Sequence, residues 1–252
     1  MTRTYSNTLL VLARAEWKMR QQSTFLGFLW TLLNPALLFL VLYTLFIKWI
    51  GKLQPDYAVF LIAGIIEWNY FSSATTYALS TLLRRRSLVA NYPVAPELPV
   101  LACVLTSAFS HYLELASLFA VLTLFAGGPH LNWLLLVPLE LSLLALICGV
   151  SFFVSVLYVF FLDIERIYAI LMSAAFFLTP VFYPLSTIGA GRRWLPELNP
   201  LTHAIEALRA MAIPGYSFTP GGLAFLAAAG LAAAAAGTIF IRKTSARVAE
   251  RL

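Results

Sequence analysis

Leu83-Arg-Arg-Arg-Ser-Leu-Val-Ala-Asn-Tyr-Pro-Val-Ala-Pro-Glu97 forms a short basic island between two long apolar stretches. Three consecutive arginines do not belong in hydrocarbon, where each charge costs about 3 kcal/mol or more. The island therefore lies at a water-facing edge and fixes the orientation of whatever flanks it. Around it the chain is 61% hydrophobic and 11% charged, with a mean hydropathy of +0.84. That leaves 28 charged residues, too few to coat a soluble domain of 252 residues. Residues 25–47 carry no charge at all, enough for a span of about 20 residues across a bilayer. The fold class that follows is an all-α polytopic membrane protein in a single transmembrane domain covering 1–252.

Outward from the island, apolar runs predict six spans: 25–47, 57–82, 98–126, 134–161, 167–183 and 222–241. In the fourth, Pro138 and Glu140 are expected to mark the membrane interface. Before the first span, residues 7–22 read as an interfacial helix. Arg14, Lys18 and Gln21 share one face, with Leu9, Leu12 and Met19 roughly opposite, and Glu16 interrupts the apolar side. With the N-terminus inside, 12 Lys and Arg residues fall on the cytoplasmic side, among them Arg14, Lys18, Arg20, Arg84, Arg85 and Arg86. Five fall outside: Lys48, Lys52, Arg192, Arg193 and Arg209. That asymmetry satisfies the positive-inside rule, and an even number of spans places both termini in the cytoplasm.

The net charge of +6 does not point to nucleic acid, because the basic residues sit at the ends of apolar segments. No small-residue cleavage site follows the first apolar stretch at signal-peptide spacing, so a cleaved leader is not expected. Cys103 and Cys148 lie in separate apolar stretches, which argues against a disulfide or metal site built on them.

The external segment 184–221 is not a plain loop. Five prolines punctuate it, yet Pro200–Met211 reads as a helix with Asn199 as N-cap and Pro200 at its first position. Its apolar residues fit a short helix dipping back into the outer leaflet, shielded by protein. A helix lying on the surface is the other reading.

Catalytic constellations are absent. Gly237-Thr-Ile-Phe-Ile-Arg-Lys-Thr244 comes nearest to a nucleotide-binding loop, but Arg242 occupies the second glycine position and no strand precedes it. His111, His130 and His203 show no metal-ligand spacing, so no metal is expected and the chain is not expected to be an enzyme. Polar residues inside the spans carry more information. Glu67 lies near the centre of the second span with Tyr70, Phe71, Ala74 and Ala78 on its face, and Asn69, Ser73 and Thr76 lie opposite. Ser107, His111 and Glu114 form a stripe on the third span. A hydrated pathway and helix–helix hydrogen bonding both fit Asn69, Ser73 and Thr76. For Glu67 the choices are a cavity or a buried pair. Aromatic rings at the predicted interfaces form an ordinary belt. Trp30, Tyr43, Tyr168, Phe176, Phe177 and Tyr183, within or at the outer end of the first and fifth spans, admit a second reading. As a set they suit a channel on which sugar rings slide through stacked C–H groups.

Several segments, in order along nearly the whole chain, carry a resemblance. They are Leu26-Gly-Phe-Leu-Trp-Thr-Leu-Leu-Asn-Pro35, then Leu61-Ile-Ala-Gly64 with Trp68-Asn-Tyr-Phe-Ser72, then Arg86-Ser-Leu-Val89 with Tyr92-Pro93. Pro180-Val-Phe-Tyr-Pro184 follows, and last Asn199-Pro-Leu-Thr-His203 with Ile205-Glu-Ala207 and Arg209. Together they resemble the membrane subunits of ABC-type polysaccharide exporters, the O-antigen, capsule and teichoic-acid export permeases. Glu67 departs from the pattern, since that family commonly has proline before the Trp-Asn pair. The resemblance implies one half of a homodimeric pore in the bacterial inner membrane, driven by a separate cytoplasmic ABC ATPase dimer. ATP and Mg would reside on that partner, with no cofactor on this chain. The interfacial helix and the loop 83–97 would dock on the ATPase, through Arg84, Arg85, Arg86, Ser87, Asn91, Tyr92, Pro93, Pro96 and Glu97. Residues after Tyr183, namely Pro184, Asn199, Pro200, His203, Glu206 and Arg209, would form short external gate helices. The substrate would be a lipid-linked glycan, with Arg14, Lys18 and Arg20 attracting either carrier phosphates or ordinary anionic lipid headgroups. Six spans make a small bundle for a polymer, which favours a path between two copies. Two alternatives stand beside this one: a drug or lipid efflux permease of the same architecture, and a multi-pass membrane transferase. The transferase would need an interfacial motif, for which Asp163-Ile-Glu165-Arg166 is the candidate, and this also reads as a solvated turn.

Overall fold

The computed structural model describes residues 2–21, 29–52, 54, 56–92, 94–125 and 131–252. Residues 25–28 of the first expected span and Pro93 lie outside the described residues, as does the side chain of Arg20. The described chain is helical throughout. In order come α1 (Thr2–Gln21), α2 (Leu29–Ile50), α3 (Tyr57–Leu79), α4 (Thr81–Arg84), α5 (Arg86–Asn91) and α6 (Glu97–Phe125). A 3-10 turn, Leu131–Leu135, leads into α7 (Leu136–Phe160), followed by α8 (Ile164–Leu178), α9 (Trp194–Glu197), α10 (Pro200–Ala212) and α11 (Pro220–Arg251).

Four stretches are long and apolar enough to cross a membrane: Leu32–Ile50, Glu97–Leu124, Asn132–Phe160 and Pro220–Arg251. They match the first, third, fourth and sixth expected spans. α3, with 23 residues, matches the second in length but is more polar. α8 has only 15 residues, about 22 Å at 1.5 Å per residue, against a hydrocarbon layer of about 30 Å. The expected fifth span, 167–183, is therefore not one continuous helix. Pro180 is the reason: its ring forces the preceding residue out of helical geometry, and Thr179 is extended at φ −87° and ψ 136°.

α3 forms the centre of the bundle. Phe60, Leu61, Ala63, Ile65, Ala74 and Ala78 are fully buried against α2, α6, α7 and α10. α7 and α11 pair most closely, as the small residues of 224–236 suggest. A Cβ on Gly149 of α7 would collide with the Ala233 carbonyl of α11, and one on Gly237 would stand 2.6 Å from the Gly149 oxygen.

α1 runs alongside the first turns of α6. The Thr106 hydroxyl reaches the Ala13 carbonyl at 3.5 Å, and Trp17 meets Phe109 edge-on at 4.8 Å. Arg14 and Lys18 are exposed, while Leu10 and Val11 are exposed beside them. α10 is no surface helix. Leu201, Ala204, Ile205, Ala207 and Leu208 are sealed inside, and the helix packs against α3, α7 and α11. Asn199 caps it as expected, its Oδ1 accepting from the Leu201 N–H at 3.0 Å with Pro200 at the first position.

Candidate functional site

At one end of the bundle the arginine island is helical, folded into α4 and α5, and its three arginines do different things. Glu16 of α1, 4% exposed, accepts from Arg85 Nη2 at 2.6 Å and from the Tyr77 hydroxyl at 2.8 Å. Arg84 lies 3.7 Å from the same carboxylate and stacks on the Tyr77 ring at 3.9 Å. So Glu16, which interrupts the apolar face of α1, is the residue that fastens it to α3 and α4. The exposed remainder of the island is Arg86, Ser87, Asn91 and Tyr92. Two expected docking residues point inward instead. Pro96 is buried, and Glu97, 5% exposed, accepts from Arg242 Nε of α11 at 2.9 Å. Glu97 starts α6 at the point where α11 passes, which turns its carboxylate toward the basic end of that helix. Asp163, Glu165 and Arg166 are exposed between α7 and α8, a solvated turn in which Glu165 accepts from the Tyr158 hydroxyl at 2.7 Å.

At mid-bundle Glu67, His111 and Glu140 converge from α3, α6 and α7. Glu140 was expected at the interface with Pro138, but it is 6% exposed and accepts from His111 Nε2 at 3.0 Å. Spacing along the sequence gave His111 no companions; the fold supplies two from other helices. Glu114 is half-buried one turn further along α6. Ser73 and Thr76 are exposed and Asn69 Nδ2 finds no partner among the described residues, so of the two readings of this set helix–helix hydrogen bonding gains no support there. Thr75 makes one in their place, accepting from the Tyr168 hydroxyl at 2.6 Å.

That contact also removes Tyr168 from the expected channel aromatics, since it is 7% exposed and committed to α3. The others lie further out. Phe177 and Trp30 are exposed, while Tyr43, Phe176 and Tyr183 are half-buried. Phe176 sits edge-on to Trp68 at 5.5 Å. Together with Phe177, Leu38, Met172 and two hydroxyls, Ser72 and Ser173, they line a cleft of about 320 Å³ between α2, α3 and α8. Phe182 extends this cluster toward the end of α2, meeting Phe46 at 5.1 Å, Phe176 at 5.8 Å and Tyr183 at 5.0 Å. Trp68 and Phe182 were not singled out as channel aromatics, although both lie in segments the sequence resemblance rests on. A second aromatic row, Phe39, Tyr43, Tyr57 and Phe60, steps from α2 to α3 with centroids 5.2, 6.1 and 6.0 Å apart.

The end of the bundle opposite the arginine island is held by polar contacts. Arg209 of α10, counted above among the external charges, is fully buried. Its Nε donates to the Phe60 carbonyl at 3.1 Å, Nη2 to the Val181 carbonyl at 2.7 Å and Nη1 to Glu206 at 2.7 Å, and its guanidinium lies 3.3 Å from the Phe60 ring centroid. The Tyr216 hydroxyl donates to the other Glu206 oxygen at 2.6 Å. Burial and the Glu206 charge push that phenol well above its ordinary value, so it keeps its proton and remains a donor. Gly64 makes the approach possible, because a Cβ there would strike the Val181 carbonyl and stand 2.9 Å from Arg209 Nη2. Asn199 Nδ2 donates to Thr179 Oγ1 at 2.8 Å, tying the α10 cap to the end of α8. His203 Nε2 donates to the Glu197 carbonyl at 2.8 Å, and Pro184 is buried in the segment that follows α8.

The model of the ABC-2 type transporter family matches residues 7–213. Among similar proteins are the O-antigen export system permease protein RfbA of Klebsiella pneumoniae, 28% identical over 82% of this chain and 80% of that protein, and that of Myxococcus xanthus, 29% identical over the same shares. The polysialic acid transport protein KpsM of Escherichia coli is 29% identical over 76% of this chain and 75% of its own length.

Proposed function

As this chain belongs to the ABC-2 type transporter family and is a transmembrane permease, we propose that it exports a lipid-linked polysaccharide of the O-antigen kind. The similarity carrying this reading is to permeases named for O-antigen export and for polysialic acid transport, over about four-fifths and three-quarters of the chain. The cleft of Trp68, Phe176 and Phe177 with Ser72 and Ser173 is consistent with it. Aromatic faces pack against the C–H surface of a sugar while hydroxyls exchange hydrogen bonds as it slides, so the cargo is held without being gripped.

In this reading two copies enclose the path in the bacterial inner membrane, with all termini in the cytoplasm. A separate ABC ATPase dimer docks on the exposed part of the island: Arg86, Ser87, Asn91 and Tyr92. Arg14 and Lys18, exposed on α1, are placed to attract carrier phosphates at the inner leaflet. α10 and the turn after α8 would then be the outer closure, opened when the cargo arrives.

Deleting this chain in its host should remove long-chain glycan from the cell surface and leave the lipid-linked polymer inside, as seen by surface labelling and gel profiles of extracted lipid-linked glycan. Restoring the intact chain should reverse both. Unchanged surface glycan together with altered drug susceptibility would assign a different cargo.

A further inference from the structure

Glu67, His111 and Glu140 come from three helices and present one donor atom each within 4.8 Å of the other two. Glu67 is fully buried, His111 is 2% exposed and Glu140 is 6% exposed. Apart from the His111–Glu140 hydrogen bond, this cluster is unsatisfied. Both oxygens of Glu67, Oε1 of Glu140 and Nδ1 of His111 find no hydrogen-bond partner among the described residues. The Tyr70 hydroxyl, also buried, is unpartnered as well, with its ring stacked on the His111 imidazole at 4.0 Å. Neither carboxylate is ion-paired to a lysine or arginine among the described residues. Glu67 and Glu140 thus face each other acceptor to acceptor, where two negative charges are least tolerable.

We propose that Glu67, His111 and Glu140 bind a divalent transition-metal cation of the zinc type, linking α3, α6 and α7 at mid-bundle. Charge supports this first: two carboxylates, a neutral imidazole and one dication sum to zero, the state a low-dielectric interior favours. Donor chemistry supports it next. Imidazole nitrogen and carboxylate oxygen are both zinc donors, and three protein ligands leave a fourth position for water. The imidazole argues against magnesium and calcium, which take oxygen ligands. The free Nδ1 can accept the ring proton, which releases Nε2, now bonded to Glu140, to bind the ion. A groove also runs beside the cluster. Glu114, one turn from His111, lines a groove of about 380 Å³ between α2, α3 and α6 together with Ile62 and Ile66, the neighbour of Glu67.

The test uses the full chain purified in detergent, stripped with a chelator and dialysed against Zn2+ or Mg2+. Bound metal is measured by elemental analysis and stability by thermal unfolding. About one Zn2+ per chain should be retained, unfolding should shift upward with Zn2+ but not with Mg2+, and Glu67→Gln and His111→Asn should each weaken Zn2+ binding at least about tenfold, a scale that even outer partners of a metal reach. Wild-type protein that takes up no Zn2+ above background overturns the site whether or not the variants fold, and leaves a proton shared between the two carboxylates. Unchanged Zn2+ uptake in both variants overturns it equally. Co2+ substituted into the wild-type protein should give the visible absorption of a tetrahedral site, and a purely octahedral spectrum counts against the proposed ligands.

Discussion

Arg209 uses all three guanidinium nitrogens inside the protein, on two backbone carbonyls and one carboxylate. Each acceptor belongs to a different segment: Phe60 to α3, Val181 to the turn after α8, and Glu206 to α10 itself. Replacing Arg209 with Met keeps the bulk but leaves the Glu206 carboxylate without its buried counter-charge. A loss of about 3–5 kcal/mol is expected, read as a lower thermal unfolding temperature of the purified protein. Arg209→Lys should recover little, because an ammonium cannot reproduce a planar fork with three fixed directions. Nothing in Ile205-Glu-Ala-Leu-Arg209 says that this charge is sealed away; it reads as one more external arginine. What buries it is Gly64, 145 positions earlier, whose missing side chain leaves room for the guanidinium. Sequence reasoning placed Glu67 and His111 among the informative polar residues because they interrupt apolar runs. It misassigned Glu140 because a carboxylate two residues from Pro138 reads equally well as an interfacial marker.

Among the elements, α1, α4 and α5 form one unit at the end of the bundle that carries the arginine island, and their charges separate structure from the proposed docking. Arg85→Glu sets a second negative charge against the buried Glu16 and should release α1, at a cost of about 1.5–3 kcal/mol for the lost charged hydrogen bond. Thermal unfolding should fall and α1 should become open to limited proteolysis, while the double change Glu16→Arg with Arg85→Glu should restore much of the loss. Arg86→Glu should behave oppositely, leaving unfolding unchanged and reducing co-purification with the proposed ATPase partner. If Arg86→Glu leaves that association intact, the exposed part of the island is not the docking surface. The arginine island was legible as a water-facing edge from its charge alone. That two of its arginines serve α1 was not, since the partner lies about 69 residues away on a helix whose acidic residue looked like a flaw. Helix lengths were legible where apolar runs were clean, and α8 was overread because an apolar run continues through Pro180 while the helix does not.

For the whole molecule, the all-α class and most span positions followed from hydropathy, because hydrocarbon permits few alternatives for an unpaired backbone. Which helices touch did not follow, since neighbours are chosen by shape. The α7–α11 pair illustrates it: the alanine-rich stretch announced close packing but not its partner. Gly149→Leu should force those helices apart at a cost of about 1–3 kcal/mol, measured as reduced stability with the basic C-terminal turns of α11 more open to protease. The short α8 bears on the idle cell. Beyond Leu178 the chain runs as non-helical backbone, and the carbonyls of Val181 and Phe182 are satisfied by Arg209 and by the Tyr57 hydroxyl at 2.9 Å. Pulling α10 away would strip the Val181 carbonyl of its donor, at a cost of several kcal/mol if the group is left bare in hydrocarbon. If α10 moves in transport, as the proposed outer closure requires, that cost biases the resting protein toward the closed arrangement, and silent copies in a cell would leak little current.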